Sequence, residues 1–98
     1  MQENINTLFQ KWQKYNLKSD KENRKKQRIT ENKIYSILYE NASEDIKNML
    51  PVKCDTMEIG FDRRNNVFFF IGEWSTNLKN TINKITIDVN KNVELKLL

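Results

Sequence analysis

The chain has no histidine, one cysteine, one proline and two glycines. Each shortage closes a class of chemistry. Without imidazole there is no Ser-His-Asp or Cys-His arrangement, no H-E-x-x-H zinc helix and no histidine acid–base pair. The lone thiol, Cys54, can form no intramolecular disulfide, and one cysteine without histidine cannot build an ordinary structural zinc site. Small secreted domains commonly carry several bridges, so a single cysteine implies a reducing, cytoplasmic setting. Two glycines cannot form a phosphate cradle, and neither G-x-x-x-x-G-K-[ST], G-x-G-x-x-G nor an EF-hand loop occurs. No metal and no cofactor is expected. Long apolar runs are also missing. The longest, residues 67–71, has strand length and falls far below the about 20 residues of a membrane span. Met1, Gln2, Glu3 and Asn4 lack a basic leader and no apolar stretch follows, so neither a signal peptide nor a membrane partner is expected.

What is present suffices for a core. Five Phe, three Tyr, two Trp and ten Ile supply bulky apolar surface, while 31% charged residues supply an unusually charged skin. Residues 1–98 read as one domain, with a helical half over 1–50 and a β-hairpin half over 56–98. Fourteen Asn, thirteen Lys and ten Ile point to a low-GC genome through their A/T-rich codons. With so little glycine, turns must rely on Asn and Asp, which tolerate left-handed backbone.

Ile5, Leu8, Phe9 and Trp12 recur at helical spacing, predicting a helix over residues 4–16. Residues 18–28 contain no apolar side chain and read either as a polar loop or as an upstream extension of the next helix. Thr30 is a suitable N-cap for that helix, with Glu31 in its first turn and Ile29 and Ile34 as a hydrophobic staple. Ile34, Ile37, Leu38 and Ala42 continue the apolar row to about Asn41. Ser43 caps a third, short helix that ends before Pro51.

From residue 56 the period becomes two. Met57, Ile59 and Phe61 mark one strand, residues 62–66 a turn and residues 67–71 a returning strand. Residues 75–83 fit a short helix capped near Ser75, with Leu78 and Ile82 on one face. Ile85, Ile87 and Val89, then Val93, Leu95 and Leu97, form a last hairpin around Asn90-Lys91-Asn92. The expected fold is α+β, with N-terminal helices packed on a C-terminal antiparallel sheet of about four strands in two hairpins.

Function is carried by charge. Residues 18–28 hold Lys18, Lys21, Arg24, Lys25, Lys26 and Arg28 against Asp20 and Glu22, a surplus of four that equals the net charge of +4 for the whole chain. A basic stretch free of apolar residues suits a phosphate backbone, and Arg63 and Arg64 on the first turn are further candidates. Phe68 and Phe70 point away from Phe69 on their strand, and with Trp74 they are candidates for an interface, unless the chain's own helices cover them. The preferred reading is a non-catalytic binding protein, a regulatory or accessory factor contacting nucleic acid through residues 18–28. The alternative is a protein–protein module: an inhibitor, adaptor or immunity-type protein, from a mobile element, or a homodimer. A third is a histidine-free nuclease using Glu58, Asp62, Arg63 and Arg64 with Tyr35 and Tyr39.

Overall fold

The computed structural model describes residues 4–76 and 79–97, with the side chains of 74–81 and 97 outside that description. Three helices, α1 (Ile5–Asn16), α2 (Lys21–Asn41) and α3 (Glu44–Met49), precede four strands, β1 (Glu58–Asp62), β2 (Val67–Thr76), β3 (Lys79–Asp88) and β4 (Val93–Leu97). The strands form one antiparallel sheet in the order β1-β2-β3-β4. The architecture is therefore α+β, with helices layered on one face of a meander. No helix among the described residues is long and apolar enough to cross a membrane.

The α1 stripe is as the spacing predicts: Ile5, Leu8, Phe9 and Trp12 are buried, and Asn4 caps the helix by accepting from the Asn6 amide. α2 differs. It begins at Lys21, where Asp20 in extended backbone accepts the Asn23 amide at 2.9 Å. Thr30 is therefore no N-cap. It lies inside the helix, buried, with its hydroxyl donating to the Lys26 carbonyl at 2.8 Å. Ile29 is exposed and forms no staple. The basic segment is helical because Lys, Arg, Gln and Glu are good helix formers, and an Asp cap with Glu22 in the first turn starts the helix without apolar contacts. A bond from Gln27 to Asn16 at 3.0 Å ties this half of α2 to the end of α1. Ser43 caps α3, as expected.

Strand register places Ile59, Phe61, Phe68, Phe70, Ile85, Ile87, Val93 and Leu95 on one face. Phe68, Phe70, Ile85 and Ile87 at its centre are completely buried beneath the helices. Phe9 stacks on Phe68 at 5.6 Å, Trp12 meets it edge-on at 5.2 Å, and Tyr35 meets Phe70 edge-on at 5.2 Å. Such contacts add to area burial by roughly 0.5–1.5 kcal/mol each.

The helix expected near 75–83 is absent among the described residues there. β2 continues to Thr76 and β3 starts at Lys79, so the two strands pair over ten residues each. Leu78 lies outside the described residues.

Acidic Asx turns shape the β1–β2 and β3–β4 connections. Asp62 accepts from the amides of Arg64 and Asn65, and Asp88 from those of Asn90 and Asn92. Left-handed backbone occurs at Asn66, as the Asn-rich composition suggests, but also at Lys91, with φ of 65°. A β-branched or long side chain gains nothing there. Lys91→Gly should raise stability by about 1 kcal/mol, measured as a shifted urea midpoint with unchanged slope.

Candidate nucleic-acid interface

Helical geometry sorts the six cations of residues 18–28. All six are exposed. Lys21, Arg24, Lys25 and Arg28 fall at i, i+3, i+4 and i+7, one stripe about 10 Å long. Lys18 precedes the helix in the α1–α2 connection, where its charge helps to keep the Asp20 carboxylate ionised. Lys26 sits roughly 140° around the helix from Lys21, on the other flank. Arg28 is partly neutralised by Asp55 at 3.4 Å.

Of the neighbouring acids, Glu22 is exposed in the first turn of α2, whereas Asp20, Asp62 and Glu31 make hydrogen bonds. Asp20 spends its carboxylate on the backbone and side-chain amides of Asn23, whose hydrogen bonds hold it below the usual carboxylate range. Asp62 is held down in the same way, first by the Asn65 side chain and then by backbone amides. Glu31 lies buried at the base of a shallow recess lined by Arg24, Lys25, Gln27 and Arg28, and accepts the Trp12 indole N–H at 2.9 Å. The stripe thus keeps a local excess of positive charge on a rigid element. It also lies in the N-terminal half of α2, where the helix dipole is positive and disfavours cations. An anion bound there would relieve that repulsion.

Burial raises the Glu31 carboxyl above its ordinary 4.5, against the lowering effects of the Trp12 hydrogen bond and the Arg28 charge. The folded protein therefore holds this proton more tightly than the unfolded chain. The resulting stabilisation is complete below 4.5 and is lost as pH rises through the folded value. Glu31→Gln keeps an acceptor for Trp12 and removes the penalty. Its melting temperature relative to the parent should rise between pH 4 and pH 7, whereas a constant difference would mean Glu31 is not desolvated.

The other candidates are distributed differently. Arg63 donates its Nε hydrogen to Gln13 Oε1 at 3.1 Å. This bond anchors Arg63 to α1, and Arg63 shares a recess with Gln13, Asn16 and Leu17 of that end of the fold rather than with the α2 cations. Arg64 is exposed at the same turn. Phe68 and Phe70 are corrected from interface candidates to core residues, since α1 and α2 of the same chain cover them. The side chain of Trp74 lies outside the described residues.

The nuclease candidates do not converge. Glu58 and Asp62 lie four residues apart on β1, about 13 Å, on the face away from the helices. Tyr35 is on the helix side and donates to the Pro51 carbonyl, and burial pushes its phenol upward. Cys54 is fully buried, and burial drives its thiol up to about 11, so little thiolate exists at neutral pH. Among the described residues, no group of Cys, Asp and Glu side chains is placed to hold a metal ion.

Local patterning misses Glu31, which reads as a first-turn acid and is instead a buried link between α1 and α2. The Asp20-x-x-Asn23 spacing is the signal that locates the true start of α2, and with it the stripe. No family model matches the chain, and no curated protein or solved structure matches it either.

Proposed function

We propose that the chain is a nucleic-acid-binding accessory factor whose contact surface is the cationic stripe Lys18, Lys21, Arg24 and Lys25, with Arg63 and Arg64 as separate secondary candidates. One observation carries this reading: exposed cations Lys21, Arg24, Lys25 and Arg28 lie along one flank of an ordered helix, while Asp20, Asp62 and Glu31 make hydrogen bonds in a cap, in a turn and to a buried indole. Phosphate groups can meet several of these cations at once, because their spacing is held by the helix rather than by a loop. Holding the cations in advance lowers the ordering entropy that a basic loop would lose on binding.

A mobility-shift assay with duplex DNA, single-stranded DNA and RNA of equal length tests it. Retardation should appear at low salt, weaken at physiological salt and leave the probe intact. An unshifted probe at low salt would instead favour a protein–protein role, and a degraded probe the nuclease reading.

A further inference from the structure

The recess on α2 measures about 440 Å³ and sets three cations around one carboxyl: Arg24, Lys25 and Arg28 line it with Gln27 and Glu31. Helical spacing explains the grouping, since Arg24, Gln27, Arg28 and Glu31 fall at i, i+3, i+4 and i+7 on one face. Arg24 and Lys25 are exposed, and among the described residues neither forms an ion pair. Glu31 is held from three sides. From α1, the Trp12 indole donates to its Oε2 at 2.9 Å. From α2, Arg28 stands one turn back and is shared, at 3.4 Å, with Asp55 of the loop before β1. From the same loop comes Cys54, whose thiol is pushed up to about 11 by burial and then by the Glu31 charge. Arg24 and Lys25 complete the charges around the carboxyl. An anion entering the recess therefore meets cations at its rim and an acid at its base.

We infer that the recess seats a backbone phosphate between Arg24 and Lys25, and that Glu31 sets the strength of this seat through its own proton. The seat rests on the nucleic-acid reading proposed above and adds a coupling to it. Ionised, Glu31 repels the phosphate; protonated, it leaves the cations unopposed. Burial already favours the protonated form, against the Trp12 hydrogen bond and the Arg28 charge, and a phosphate in the recess favours it further. Binding therefore takes up a proton, and by linkage affinity rises as pH falls through the Glu31 value. The chain has no histidine, so no imidazole adds a competing pH dependence near neutrality. Arg24 and Glu31 stand about 10 Å apart along the helix. A full charge at that distance, through an effective dielectric of roughly 20–40, alters affinity about four- to fifteenfold.

Filter binding of duplex DNA at low salt, by the parent and Glu31→Gln at pH 7.5 and pH 4.5, tests the coupling. At pH 7.5 Glu31→Gln should bind about four- to fifteenfold tighter than the parent. At pH 4.5 more than half of the parent's Glu31 is protonated, because its value stands above 4.5, so the ratio should fall below about twofold. Charges elsewhere titrate alike in both proteins and cancel in the ratio. Circular dichroism checks the fold at both pH values. If Glu31→Gln does not fold, calorimetry of the parent in buffers of different ionisation enthalpy reads the proton directly: uptake on binding supports the inference, and binding with no uptake between pH 4.5 and 7.5 overturns it. Equal affinities of the two proteins at pH 7.5, or one ratio at both pH values, also overturn it while leaving the nucleic-acid reading intact. No binding by either protein at either pH overturns both.

Discussion

Ile87→Asp should leave the chain unfolded at room temperature. Ile87 is completely buried, opposite Phe68 on β2 and Val93 on β4, beneath the layer formed by α1 and α2. Among the described residues no buried cation would partner an aspartate there, and the substitution would also remove the packing of a large aliphatic side chain. The two losses together cost several kcal/mol, against a total stability of roughly 5–15 kcal/mol. Thr86→Asp supplies the control. Thr86 is the adjacent residue on the same strand but points to the uncovered face, where it is only half-buried. It should cost about 1 kcal/mol or less, because the carboxylate stays in contact with water. Far-ultraviolet circular dichroism and urea titration of both variants distinguish the two sides. Equal destabilisation would mean that both faces are covered.

Periodic apolar spacing makes much of the fold legible in the sequence. α1, α3 and the β3–β4 hairpin follow their patterns because the side chains that set the period are those that fill the core. Two segments escape this logic. The first half of α2 carries no apolar side chain, so it has no period; its helicity comes from the Asp20 cap, intrinsic propensity and the bond between Gln27 and Asn16. Residues 79–83 escape for another reason. Their alternation is inverted, with polar Asn83 buried on the covered face and apolar Ile82 outward, so they do not read as a continuation of Ile85 and Ile87. The candidate site is half legible. Its cations are evident in the sequence, but their division into a stripe, a lone Lys26 and an Asp55-paired Arg28 depends on the helix and the neighbouring loop.

Binding of duplex DNA should fall about 40- to 150-fold between 50 and 200 mM salt. This expectation follows from three or four of Lys18, Lys21, Arg24 and Lys25 each displacing a condensed counterion, about 0.9 per phosphate neutralised, for a log–log slope of roughly −2.7 to −3.6. Arg28 is left out because Asp55 already holds it, and Lys26 because it faces the opposite flank. Replacing Lys21, Arg24 and Lys25 together by Gln should flatten the slope by about 1 for each phosphate no longer neutralised and weaken binding to all sequences alike. The melting temperature should barely move, since the three side chains are exposed and contribute nothing apolar to the core. Lys26→Gln should leave the slope nearly unchanged, which separates binding by the stripe from attraction to net charge. The decisive measurement is therefore the salt dependence of affinity for the parent, the triple variant and Lys26→Gln, taken side by side. The stripe requires a steep slope in the parent and in Lys26→Gln and a shallow one in the triple variant, whereas equal slopes in all three would contradict it.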